Sequence, residues 1–330
     1  MRKPVLLSIF LGMAMLSTLF AAACRPTVVP VVDEDEDIPA DLGTLRIAVL
    51  PVLDTLPIYV AEKEGLFAKE GLQVEFIPVP SAPERDQIIA AGQADGMVNE
   101  ALSTAFFNKD QISAQVVRYA RAASSEDPLF RILVTKNSPI DTIEALKGVP
   151  IGISEATVIE YVADRLLQAE GFTPEEIQKI AVPKISDRMN LLGTGELQAA
   201  VLPEPQSSLA VKNGARLIVD DSSHPEYSFS TITFRKSVID QKPEAVRGFL
   251  AAIEAAVVLI NHDPSQFKDL LVDQKVVPPD LEGNFFVPVF VTAGVPSETQ
   301  WNDVIAWAIG RGVLDHEVSY SESVNASFLP

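Results

Sequence analysis

The sequence predicts an α/β fold of two lobes that face each other across a cleft and are joined by two crossover segments. Three observations predict it. Short β-branched strands alternate with capped helices from residue 44, the same rhythm restarts after residue 131, and a late strand followed by a long amphipathic helix turns the chain back at 228–261. Strand–helix–strand repeats of this kind make parallel sheets with right-handed crossovers. The expected divisions are 44–135 for the first part of lobe I, 136–229 for lobe II and 230–330 for the return to lobe I.

The first unit opens with a strand at 44–51 (TLRIAVLP), a helix at 59–70 stopped by Gly71, and a strand at 74–79 (VEFIPV). Ser81 and Glu84 then form a capping-box pattern, with Pro83 in the first turn of a helix that ends before Gly92. The second unit has strands at 131–135, 150–153, 199–202 and 216–219. Thr157 with Glu160 opens a helix that Gly171 stops, and Thr173-Pro174-Glu175-Glu176 repeats the device. In the return part a strand spans 228–234. A helix at 243–261 follows, with Val246, Phe249, Leu250, Ile253, Val257 and Ile260 spaced by three and four. Asp263-Pro264 and Ser297 with Gln300 open two more helices.

The amino terminus reads differently. Arg2 and Lys3 precede an apolar run that ends in Ala21-Ala22-Ala23-Cys24, the layout of a secretory signal over 1–23. Cys24 is the only cysteine of the 330 residues, so it has no partner for an internal disulfide. Residues 20–24 resemble a bacterial lipobox, although Ala21 stands where Leu is usual. The resemblance implies a lipidated Cys24 that anchors the chain on the outer face of the cell membrane. Residues 24–43, with the acidic run Asp33-Glu34-Asp35-Glu36-Asp37, read as a solvated tether. The formal net charge of -19 makes nucleic acid and anionic membrane surfaces poor partners, while leaving a small anionic ligand open.

Residues 57–76 (PIYVAEKEGLFAKEGLQVEF) resemble one family, and further blocks follow in its order: 91–95 (AGQAD), 138–152 (SPIDTIEALKGVPIG), 195–205 (GELQAAVLPEP) and 235–257. This is the family of ABC-importer binding proteins for nitrate, alkanesulfonates, taurine, thiamine pyrimidine precursors and riboflavin. The resemblance covers about residues 44–314. It implies a two-lobe, type II-like periplasmic-binding-protein fold, a small-molecule ligand, and an ABC permease with its ATPase subunit as partners. The family also resembles a pyrimidine-making synthase, which makes an enzyme the first rival, while the expected function is that of a binder with no catalysis and no cofactor.

Ligands of such sheets sit beyond the carboxyl ends of the strands. The expected ligand-binding residues are therefore Asp54, Thr55, Ser81, Asn99 and Tyr119 in lobe I, Glu155, Thr157 and Glu204 in lobe II, and Tyr227 near the return crossing. The loop 155–157 also offers free helix N–H groups to an electronegative atom. This set is rich in acids and aromatics, and Arg118 is the one nearby candidate to hold an anion. The expected ligand is thus riboflavin or a thiamine pyrimidine, with alkanesulfonate, taurine or nitrate as the alternative. A lipoprotein that reports its ligand to a membrane receptor fits the same residues. An enzyme fits poorly: His224, His262 and His316 are scattered without metal-ligand spacing, and no GxSxG, HExxH or P-loop pattern occurs. Asn325-Ala326-Ser327 matches a glycosylation acceptor by chance.

Overall fold

The computed structural model describes residues 40–281 and 285–330. The expected signal over 1–23, Cys24 and most of the expected tether lie outside the described residues.

The first sheet grows from alternating apolar segments. β1 (Gly43–Val49) leads through a 3-10 turn into α1 (Leu56–Lys63) and α2 (Leu66–Lys69), then β2 (Leu72–Pro78). One helix was expected at 59–70, and two short ones occur, because Gly65 adopts φ 65° and breaks the ladder there. α3 (Ala82–Ala90), β3 (Gly96–Asn99), α4 (Ala101–Asn108) and β4 (Ala114–Ala122) follow. The second sheet uses β5 (Phe130–Val134), β6 (Ile151–Ile153), α5 (Val158–Ala169), β7 (Lys179–Ala181), α6 (Ile185–Thr194), β8 (Ala199–Pro203), α7 (Gln206–Lys212) and β9 (Arg216–Asp220). β10 (Phe229–Arg235), α8 (Lys236–Gln241), α9 (Pro243–His262), α10 (Lys268–Asp273), α11 (Glu298–Gly310) and α12 (Tyr320–Ser323) complete the chain.

The strand orders are β2-β1-β3-β10-β4 and β7-β6-β8-β5-β9, here sheet A and sheet B. Each is mixed. β1 runs parallel to β2 and β3, and β6 runs parallel to β7 and β8, while β10 and β5 enter antiparallel. The chain crosses between sheets twice, at 123–129 and at 221–228. The expected boundary after residue 135 falls one strand late, since β5 is bonded to β8 and β9 in sheet B. Its long-range partners, rather than its own pattern, decide that membership.

α9 behaves as its spacing predicts: Val246, Phe249, Leu250, Ile253, Val257 and Ile260 are all fully buried against sheet A. α11 does not belong to one half. Trp301, Val304, Ile305 and Trp307 share a core with α4, with β5 and β6, and with α5. The expected capping box of Ser297 and Gln300 is present at its start. Thr173 and Glu176 also make their box, but it caps a single 3-10 turn. Among the described residues no helix is long and apolar enough to cross a membrane.

Candidate functional site

The carboxyl ends of the parallel strands in both sheets open onto one cleft. From sheet A it is lined by Leu50, Val52 and Asp54 beyond β1, by Ala82 and Arg85 of α3, and by Val98, Asn99 and Glu100 at the end of β3. From sheet B come Ser154 and Thr157 beyond β6, Val158 and Ile159 at the start of α5, Pro183, Ile185 and Arg188 beyond β7, and Glu204 beyond β8. Leu129 at the end of one crossing, Phe130 at the start of β5, and Phe229 and Ser230 at the start of β10 complete the lining. The space amounts to about 650 Å3, counting the mouth open to solvent. Its wall is apolar over most of its extent with a few convergent polar groups, the make-up of a small-molecule site.

Four of the expected residues line this cleft: Asp54, Asn99, Thr157 and Glu204. The others lie elsewhere. Thr55 is fully buried and donates to the Val52 carbonyl at 2.7 Å. Ser81 caps α3, accepting from the Glu84 amide. Tyr119 donates to Gln300 at 2.7 Å and packs edge-on against Phe229. Glu155 is exposed beside Arg311 at 3.6 Å. Tyr227 lines a small neighbouring recess with Tyr161 and Val304. Arg118 is turned away from the cleft, as strand alternation allows: its guanidinium donates to Glu254 at 2.7 Å and to the Val291 carbonyl at 2.7 Å.

The lining residues already satisfy much of their own polarity. Asn99 donates to Thr104 at 2.9 Å and accepts from Thr231 at 2.8 Å. Thr157 accepts from the Ile159 amide and donates to the Ser154 carbonyl, so it caps α5 and turns the loop before it. Each lining carboxylate has its own arginine: Asp54 with Arg121 at 3.7 Å, Glu100 with Arg85 at 3.0 Å and Glu204 with Arg131 at 2.5 Å. Burial nevertheless pushes the Asp54 and Glu100 carboxyls above the usual range, against the pull of those arginines.

Arg188 is the exception. It is fully buried, and its guanidinium reaches only backbone carbonyls: Val201 at 2.9 Å, Val182 at 2.7 Å and Pro183 at 3.2 Å. No carboxylate pairs with it among the described residues, and its Nη2 has no partner. Burial alone lowers its pKa to about 10, so it remains charged at neutral pH. Ser154, also buried, has a hydroxyl without a partner. The Val182 amide bonds the Ile153 carbonyl at 2.8 Å, which carries the β6–β7 pairing to the residue before Pro183. Arg188, the Ser154 hydroxyl without a partner and the first turn of α5 all belong to the sheet B lining of the cleft.

Arg188 escaped the sequence reading because β7 is three residues long and α6 was not expected after it. The run KIAV before Pro183 was the available signal for that strand. Arg85 was missed for another reason. Nothing local shows that it crosses to Glu100. Among the described residues no three His, Cys, Asp or Glu converge as a metal-ligand set.

A model of the family described as NMT1/THI5 like matches residues 53–267. The putative aliphatic sulfonates-binding protein of Bacillus subtilis is 25% identical over 243 residues, covering 71% of this chain and 70% of that protein. The putative thiamine biosynthesis protein of Haemophilus influenzae is 26% identical over 232 residues, covering 67% of this chain and 70% of that one. Among solved structures, the ligand-binding component of an ABC-type import system from Staphylococcus aureus, crystallised with zinc bound, superposes with a TM-score of 0.73 at 13% identity, over 87% of this chain and 97% of that one.

Proposed function

Because the chain belongs to the NMT1/THI5-like family, we propose that it is the solute-binding component of an ABC importer whose cleft takes a small organic anion with an apolar tail, of the alkanesulfonate type. The single observation that carries the ligand class is Arg188, a buried charge with no counter-ion in the wall of the cleft. A buried charge left unpaired costs several kcal/mol, and an anion that docks on it removes that cost. Ser154 and the first turn of α5 add donors for the remaining oxygens. Leu50, Val52, Phe130, Ile185 and Phe229 offer the tail an apolar wall.

We read the site as one of binding without chemistry, since its three carboxylates are each paired with an arginine. The halves built on sheets A and B would close on the ligand about the two crossings, and the closed form would dock on the permease. A lipidated Cys24 would keep the protein on the outer face of the membrane.

A second reading keeps a riboflavin or thiamine pyrimidine ligand, favoured by one observation: the carboxylates of Asp54, Glu100 and Glu204 line the cleft and are acceptors for the N–H groups of a ring. Thermal stability of the purified protein separates the two readings when measured against alkanesulfonates, MOPS, taurine, nitrate, riboflavin and a thiamine pyrimidine. A ligand at about 100 times its Kd adds about 2.7 kcal/mol. The expected result is a sulfonate response that drops about 100-fold in affinity in Arg188→Met. A response to riboflavin or the pyrimidine alone, unchanged in that variant, would overturn the anion reading.

A further inference from the structure

The loop that carries Ser154 and Thr157 into the cleft is held in an unfavourable conformation. Ala156 has φ 54°, in the left-handed region that residues with a Cβ rarely adopt. Its amide points to a carboxylate that is wholly inaccessible: Glu160 Oε2 accepts it at 2.7 Å. The sequence pattern expects Glu160 to close a capping box on Thr157. Instead it reaches one residue further back, to Ala156, and leaves Thr157 to cap α5 alone.

The carboxylate is in turn gripped from two sides. Lys179 of β7 lies 2.7 Å from it, and Arg311, just past α11, donates from Nε at 2.8 Å. Burial pushes this carboxyl up, yet the hydrogen bonds from Lys179, Ala156 and Arg311 outweigh burial and leave it below its ordinary range. The same helix pair is laced further along. Trp307 Nε1 donates to Asp164 at 3.0 Å, and Arg165 holds Asp303 at 2.8 Å. α11 also packs on α4 of the sheet A half, so this grip extends from the far half to the cleft loop.

We infer that Glu160 is a positioning residue: it holds Ala156 in its left-handed conformation, and so aims the hydroxyl of Ser154 and the first turn of α5 at the ligand, with Lys179 and Arg311 fixing the carboxylate from behind. The affinity part of this inference rests on the anion reading above, while the loop geometry does not. Glu160 touches no ligand. It acts through the backbone of the loop, and α11 gains a say in affinity from outside the cleft.

The test uses the purified protein, with amide hydrogen exchange at Ala156 and affinity for butanesulfonate as two separate readouts. In Glu160→Gln, exchange at Ala156 should speed up at least tenfold and affinity should fall at least tenfold. Adding Ala156→Gly, which reaches this φ without a steric cost, should recover most of the affinity. A residue that merely stabilises the fold would lower the melting temperature and show no such recovery. Arg311→Gln keeps the carboxylate and removes a partly exposed cation, so it serves if Glu160→Gln does not fold. It should loosen Ala156 several-fold. Unchanged exchange at Ala156 in both variants, or affinity loss that Ala156→Gly does not relieve, overturns the inference. If butanesulfonate fails to bind the parent protein, the anion reading falls and the exchange result alone decides the role of Glu160.

Discussion

Arg118 and Arg188 are both fully buried, yet they are completed in opposite ways. Arg118, on β4, meets Glu254 of α9 and the carbonyls of Tyr119 and Val291, so its charge is answered inside the protein. Arg188, on α6, meets carbonyls only, keeps one nitrogen without a partner, and lies in the cleft wall. The first arrangement is a closed account of charge that ties the return helix to sheet A. The second leaves a buried charge without a counter-ion at a residue that lines the cleft. Burial and residue type are the same, so what distinguishes a structural arginine from a binding one is the partner set.

The largest expected effect breaks the closed arrangement. Glu254→Ala strands Arg118 without a counter-ion and should cost about 4 kcal/mol, the usual size for removing one partner of a buried pair. Ligand response should survive, because neither residue lines the cleft. Arg188→Met should do the reverse. It deletes a buried charge without a counter-ion but also the donor to the Val182, Pro183 and Val201 carbonyls, so the fold should lose only about 2 kcal/mol, less than in Glu254→Ala, while anion affinity falls. Urea unfolding of the two variants side by side checks both. If Arg188→Met destabilises as much as Glu254→Ala, Arg188 holds the fold together and the contrast collapses.

Asp221 is the mirror image of Arg188. It is fully buried at the second crossing and accepts the amides of Leu129 and Phe130 from the first, both at 3.0 Å. One carboxylate thus ties the two crossings together, using dipoles instead of a bonded cation. Burial raises its pKa to about 6 from 3.8, which corresponds to about 3 kcal/mol. The sign follows from proton counting. Between about pH 4 and 6 the folded protein keeps a proton that the unfolded chain has released, so the Asp221 contribution is fullest below about pH 4 and is lost as pH rises through about 6. Asp221→Asn should remove that slope. Stability of parent and variant, measured by urea unfolding from pH 4 to 7, should differ by an amount that changes by about 3 kcal/mol across this window. A constant difference would mean that the carboxylate is not perturbed.

What could be read in advance was local. Gly71 and Gly171 stop helices with φ of 69° and 87°, and Ser297 with Gln300 makes its box, because each signal involves residues within one turn. The rule that parallel strands present ligands at their carboxyl ends led to Asp54, Asn99, Thr157 and Glu204 in the cleft. Tyr119 failed the same rule, because it leaves β4 toward Gln300 of α11, a helix 181 residues away in the chain. The charge balance of the cleft was illegible for a related reason. An acid-rich list of loop residues gives no sign that Arg121, Arg85 and Arg131 fold back onto Asp54, Glu100 and Glu204. Once those pairs cancel, the one unpaired lining charge is positive, the opposite of what composition implied.

The smallest effect sharpens the comparison at the level of helix caps. Ser81 and Thr157 play the same local part, accepting a first-turn amide of α3 and α5 respectively. Replacing either by Ala should cost about 1 kcal/mol of stability. Only Thr157 lines the cleft, and it also bonds the Ser154 carbonyl at 2.7 Å, so only Thr157→Ala should loosen the turn beside Arg188. The expected pattern is equal loss of stability in the two variants, with sulfonate affinity reduced in Thr157→Ala and unchanged in Ser81→Ala. Thr157→Ser, which keeps the hydroxyl, should restore both quantities. Equal loss of affinity in the two alanine variants would show that α3 reaches the ligand as closely as α5 does, and would move the binding wall from sheet B to the cleft as a whole.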